Sequence, residues 1–335
     1  MVDFTESVRS LASETGFSGV VRIDDCGGAA LIEAFGLTHR GFGTPNTADT
    51  QFGIASGGKG FTALAVVSLI ADGVLSLDTT ARSILGSDLG HIADDVTVGH
   101  LLAHRSGIGD YLDEDKEGFD PYDYVLVSPV QDLLSTDGFI VEVDGQQTKF
   151  IAGERFSYCN GGYIILALIA ERSSGMDYDK LVAERVLQPA GLRDTGFLRA
   201  DEPSGRMAMG YLHAEGLRTN VFHLPIRGNG DGGVYTTAAD MHRFWRALFD
   251  GQIVPSGWVA EMTRPHSEAP DQDSRYGLGF WLAKTGSTVM LLGGDPGVSF
   301  FSTHDPTSGC TVTILSNTTG GAWPLVRYVE DFLRA

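Results

Sequence analysis

The 335-residue sequence predicts an α/β fold: an antiparallel sheet flanked by helices, with a mostly helical region inserted between two parts of the chain. Three observations lead there. A helix and a hairpin come first, apolar helices fill the middle, and several short strand-like runs separated by turns precede a terminal helix. Strands joined by short turns pair antiparallel, because a parallel pair needs a crossover of about a dozen residues or more.

Taken in order, residues 4 to 14 read as a short helix, and "FSGVVRI" and "AALIEAFG" as strands around the turn-rich "DDCGG". From Gly60 to Ala71 small and branched apolar residues continue without a polar face, as in a helix enclosed by protein, and "ADG" stops it. "TVGHLLA", 97 to 103, opens a short helix before the turn "HRSGIGDY". The stretch from about 108 to 155 is acidic and irregular, with helical pieces near 128 to 136. Its Asp110 to Asp137 part reads either as solvated surface or as a lid over a pocket. "NGGYIILALIAERSSG" is a buried helix with a glycine stop, and "DYDKLVAERVLQPAGL" a second with Pro189 near its end. "VYTTAADMHRFWRALFDG" is a helix entered through Thr236, Thr237 and Asp240. "YGLGFWLAK", "TVMLL", "GVSFFSTHD" and "CTVTILSN" are strands, and "AWPLVRYVEDFLRA" closes the chain as a helix. Residues 1–75 and 270–335 then form an α/β domain made from both chain ends, and 76–269 a mostly helical region carrying the active-site rim.

The composition, 42% hydrophobic and 20% charged, is that of a globular protein. With 43 acidic against 24 basic residues the net charge is -19, which disfavours nucleic acid or an anionic membrane surface as partner. No apolar run approaches the length of a membrane span, and the N-terminus lacks a signal-peptide pattern, so a cytoplasmic location is expected. Cys26, Cys159 and Cys310 are widely spaced and odd in number, which favours reduced thiols over a disulfide framework.

Two glycine motifs imitate nucleotide sites. "FGIASGGKGF" has the Gly53-x4-Gly58-Lys59 spacing of a phosphate loop, but Gly60 stands where a magnesium-binding hydroxyl is required. "GNGDGG" matches a dinucleotide fingerprint without the strand-turn-helix setting that gives the pattern force, and reads as a turn. His100 and His104 share one helical face, yet no third metal ligand lies nearby in sequence. No cofactor is expected.

The same "FGIASGGKGF" holds Ser56 and Lys59 three residues apart. At a helix start this step puts both on one side, a nucleophile beside an amine, with the helix dipole favouring a developing oxyanion. Arginine does poorly the work of a buried titrating amine, and only five residues of the chain are lysine. Further on, "RFSYCNGGY" sets Tyr158 and Asn160 at a loop-to-helix entrance, where Asn160 could cap the helix or join Tyr158 in a pocket.

Together these segments resemble the serine beta-lactamase and penicillin-binding-protein superfamily, especially its class C beta-lactamase, D-peptidase and esterase branch. The likeness extends through "VTVGHLLAHRSGI", "GDGGVYTTAADMHRF" around Gly232 and "LLGGDPGVSFFS", over nearly the whole chain. It implies a beta-lactamase/transpeptidase-like fold, Ser56 as acylated nucleophile, Lys59 as the partner for its proton, Tyr158 in proton transfer and Asn160 on lysine and substrate. It also implies a structural role for His104 and an oxyanion hole from the backbone amides of Ser56 and Gly294. Where the family carries Lys-Thr-Gly or His-x-Gly, this chain has Leu291, Leu292 and Gly293 as the expected pocket strand, without a basic side chain for a substrate carboxylate. The expected function is therefore a serine hydrolase for small or moderately apolar esters. The alternatives are a D-amino-acid peptidase, amidase or beta-lactamase-like hydrolase with its clamp elsewhere, Arg105 and Arg227 being candidates, or a noncatalytic binding protein.

Overall fold

A computed structural model describes residues 4–26, 29–120 and 122–334. Eight strands among them form one antiparallel sheet: β1 (Gly19–Cys26), β2 (Ala29–Phe35), β3 (Ser267–Ala269), β4 (Ser274–Tyr276), β5 (Trp281–Ala283), β6 (Val289–Asp295), β7 (Val298–His304) and β8 (Thr311–Ser316). Their order is β2-β1-β8-β7-β6-β5-β4-β3. The first strand pairs with the last, Gly19 opposite Ser316 and Asp24 opposite Thr311, so both chain ends build one sheet. The α/β antiparallel architecture is the one the sequence predicts. The turn at Gly27 and Gly28 lies outside the described residues.

Period-two alternation explains why helices cover both faces. Phe300 of β7, Leu315 of β8 and Val20 of β1 join the larger core, while their neighbours Phe301, Ile314 and Val21 enter a second core. That second core is closed by α1 (Phe4–Glu14) and the C-terminal α5 (Trp323–Arg334), which contributes Leu325, Val326 and Val329. The larger core holds α2 (Lys59–Ala71), α3 (Asn160–Ser174) and α4 (Ala238–Phe249). In α2 every residue from Lys59 to Ile70 is buried, in accord with its missing polar face. Thr237 caps α4 by accepting from the Asp240 amide at 3.1 Å, and Gly175, at φ 70°, ends α3. Between 128 and 143 the chain makes only short turns, Val130–Asp132 and Thr136–Phe139, before the brief helix Ile140–Val143.

The thiol expectation is corrected. Cys26 and Cys310 form a disulfide at the end of the β1–β8 pair, and Cys159 alone remains a free, buried thiol. The 284-residue separation hid the pairing, since only the meeting of the chain ends brings the two together. No helix among the described residues is long and apolar enough to cross a membrane.

Candidate active site

The site forms where three backbone segments crowd one turn. After the short strand Phe52–Gly53 the chain enters the 3-10 turn Ala55–Gly58, which runs into α2. Ala55 holds φ at 45°, a left-handed value costly for a residue with a Cβ, and the bend sets Ser56 at the helix mouth. Gly232 presses on this turn from one side, where an added Cβ would lie 2.6 Å from the Ala55 carbonyl oxygen. Gly293 presses from the other, where a Cβ would overlap the Ile54 carbonyl. Glycine is therefore required at both positions for contact, although neither has a positive φ.

Lys59 is 2% exposed. Its Nζ lies 2.8 Å from Ser56 Oγ, 2.8 Å from Asn160 Oδ1 and 2.7 Å from the Asp231 carbonyl oxygen. Asn160 and the Asp231 carbonyl can take two N–H bonds from a neutral amine, which leaves its lone pair directed at Ser56; an ammonium fills all three. Either protonation state fits without movement. Asn160 is fixed in turn, its Nδ2 donating to the Leu112 carbonyl at 3.0 Å and to Glu114 at 3.3 Å. It does not cap α3. Cys159 is the cap residue, and the Asp110 carboxylate accepts from the amides of Asn160 and Gly161 at 2.6 and 2.8 Å, which frees the asparagine side chain for the lysine.

The Tyr158 phenol lies within electrostatic reach of Ser56, and its ring centroid is 4.9 Å from Lys59 Nζ. Burial first, then Glu114, pushes its phenol well above the usual value, so it keeps its proton near neutral pH. His104 packs at a tilt on Tyr158, 4.4 Å between centroids, and also on Tyr163 and Tyr276. Its Nδ1 accepts from the Cys159 amide at 3.1 Å, while burial and then Lys59 depress its pKa well below the usual histidine range. The ring is a neutral prop for Tyr158. His100 is used separately, accepting from the Thr97 amide through Nδ1.

The expected pocket strand is only partly as anticipated. Leu291 is buried under Gly60 in the larger core, and Leu292 packs into the core closed by α5, so neither forms a wall of the cavity at Ser56. The cause is strand alternation, which sends both side chains away from the opening. β5 pairs with β6 only at Val289 and Met290, leaving the Leu291–Asp295 edge without a strand partner on that side, beside the Ser56 turn; Gly294 lies on this stretch. Arg105 is tied to the Gly153 and His266 carbonyls, and Arg227 to Asp179, so neither is a free clamp.

Sequence reasoning missed the acids. Asp231, in the "GNGDGG" turn, and Asp295, directly after Gly294, line the cavity with Ser56, Tyr111 and Tyr124. Tyr111 donates to Asp231, and Tyr124 donates to Asp295 Oδ1 at 3.1 Å. Tyr111, Leu112, Tyr124 and Leu126 thus make part of the Asp110–Asp137 stretch a wall of the cavity. The available signal was an acid set inside or beside each glycine motif. Burial and then Asp231 push Asp295 up to about 7. The folded state then holds a proton that the unfolded chain, with an ordinary carboxyl near about 4, releases. Stability from this group is complete below about pH 4 and is lost as pH rises to about 7. Asp295→Asn should therefore show a smaller fall in Tm between pH 4 and 7 than the wild type, and an unchanged profile would contradict the assignment.

A match to the family model described as Beta-lactamase covers residues 4–329. The crystal structure of a penicillin-binding protein from Bacillus halodurans is 33% identical, with a TM-score of 0.89 over 97% of this chain and 99% of that one. Esterase EstB of Burkholderia gladioli is 28% identical over 90% of this chain and 86% of its own. D-aminopeptidase of Brucella anthropi is 28% identical over 81% of this chain, which spans half of that protein's length. With its sheet built from both ends and a match spanning nearly all its length, the chain belongs to the beta-lactamase family, within the superfamily that includes the penicillin-binding proteins.

Proposed function

We propose that the protein is a serine hydrolase that opens D-amino-acid peptides or amides through an acyl-Ser56 intermediate. The observation that carries this reading is the Lys59 nitrogen, held by Asn160 and the Asp231 carbonyl with its third position on Ser56 Oγ. Neutral Lys59 takes the Ser56 proton as Oγ bonds to the substrate carbonyl carbon. The backbone amides of Ser56 and Gly294 hold the resulting oxyanion. When the carbon–nitrogen bond breaks, the proton passes through the Tyr158 phenol to the leaving amine. Water then adds to the acyl carbon, giving its proton through Tyr158 to Lys59, and as the Oγ–carbon bond breaks Lys59 returns that proton to Oγ and the carboxylic acid leaves.

The ester reading rested on the lack of a basic carboxylate clamp at Leu291 and Leu292, which argues against an anionic substrate end without choosing an ester over an amide. Penicillin-binding proteins and D-aminopeptidases among the relatives favour peptide and amide substrates, while activated esters remain substrates for the same nucleophile. Intact-mass measurement after mixing with an activated short-chain ester, D-phenylalanine amide and a chromogenic beta-lactam should reveal an acyl adduct on Ser56. Ser56→Ala should lose the adduct and at least about 10³-fold in turnover. Equal turnover by that variant would remove Ser56 as nucleophile, and no adduct or turnover with any probe would favour a binding protein.

A further inference from the structure

The substrate cavity has a charge pattern that the Ser56 chemistry does not use. Asp231 and Asp295 reach it from different segments, a turn before α4 and the end of β6. Asp231 is tied to the nucleophile by its own carbonyl, 2.7 Å from Lys59 Nζ. Each carboxyl group receives a tyrosine hydroxyl, which holds it in place, while burial raises both from the usual carboxylate range, a cost that an ammonium between them would relieve. Nearby arginines are spent elsewhere: Arg105 on main-chain carbonyls and Arg227 on Asp179. The remaining wall is apolar, with Leu126, Phe139, Leu198, Leu224 and Ile226.

A substrate must place its carbonyl at Ser56, so the groups flanking that carbonyl meet this wall. An anionic end would face two carboxylates in a poorly solvated space and be repelled. A cationic end would find two acceptors already oriented and would favour their ionised forms, and an apolar substituent would find the hydrophobic wall. A carbonyl bearing an amine and an apolar side chain on its adjacent carbon is an α-aminoacyl group.

Resting on the acyl-serine reading above, we propose that Asp231 and Asp295 form an ammonium subsite, making the enzyme selective for an apolar amino-acid residue with a free α-amino group on the acyl side of the scissile bond. Cleavage then occurs after the first residue of a peptide, or at the amide of a single amino acid. Among the described residues that line the cavity there is no lysine or arginine to meet a carboxyl terminus.

The test compares D- and L-phenylalanine amide with their N-acetyl forms at pH 8. Wild type should prefer the free amine of its favoured enantiomer by about 30- to 100-fold in kcat/KM, the range expected when a charged hydrogen bond is lost. Asp295→Asn should shrink that preference to a few-fold, while hydrolysis of the amine-free p-nitrophenyl 3-phenylpropionate falls much less; Asp231→Asn, whose carbonyl holds Lys59, is read instead by ammonium binding in the Ser56→Ala background. Equal use of acetylated and free amides, or an equal loss on both probe classes in Asp295→Asn, would overturn the subsite. Calorimetric binding of the same amides to Ser56→Ala separates this inference from the catalytic one. Tight binding of the free amine over the acetylated form supports the subsite even if no acyl-enzyme forms, and indifference overturns it even if one does.

Discussion

Lys59→Ala is expected to slow acylation of Ser56 by about 10³-fold, within the span of general-base effects. Three contacts end on this one nitrogen, and two of them, Asn160 Oδ1 and the Asp231 carbonyl, have no function in proton transfer except to aim it. The variant also leaves those acceptors short of a donor, at about 1–3 kcal/mol each, so a lowered Tm should accompany the kinetic loss. Single-turnover acylation by an activated ester, read as the rate of adduct formation in protein verified as folded, separates the two effects. Lys59→Arg should not rescue the rate, because a guanidinium stays charged and cannot receive the serine proton. An acylation rate within a few-fold of wild type in the alanine variant would exclude the proton role.

The largest effect on stability is expected at the disulfide. Cys26 and Cys310 close a loop across 284 positions, and the chain-entropy model gives about 5 kcal/mol for a loop this long. Cys26→Ser with Cys310→Ser should lower Tm by about 10 °C, using about 2 °C per kcal/mol for a large chain. Thermal unfolding of the wild type with and without reductant should reproduce that difference. Matching midpoints would mean that the β1–β8 pairing holds the chain ends without covalent help.

Much of this architecture was legible in the sequence because local patterns and tertiary demands agree. The unbroken apolar run of α2, the Thr237 cap, and the successive strands after residue 270 each specify one element without ambiguity. Ser56, Lys59, Tyr158 and Asn160 were recoverable for a related reason: two pairs with fixed internal spacing lie at two helix entrances that the fold brings together. Side-chain direction was harder. Leu291 and Leu292 were taken as wall residues because they stand on the right strand, but the pleat decides which way they point, and register is a property of the whole sheet. Asp231, Asp295 and Asp110 were missed for another reason. A single acid in an acidic chain carries no signal until a cavity encloses it, and the disulfide likewise needed the chain ends to meet.

The placement of β1 between β2 and β8 also sets a timetable for synthesis. The β1–β2 hairpin is translated well before its neighbouring strand Thr311–Ser316. At about 5–20 residues per second the hairpin waits for about 15–60 s with one edge open. The serine turn waits as well, because Gly293, which braces it, arrives late. The Ser56 turn therefore lacks its Gly293 brace until β6 has left the ribosome, and truncation before Thr311 should destabilise the β1–β2 hairpin by removing its sheet partner.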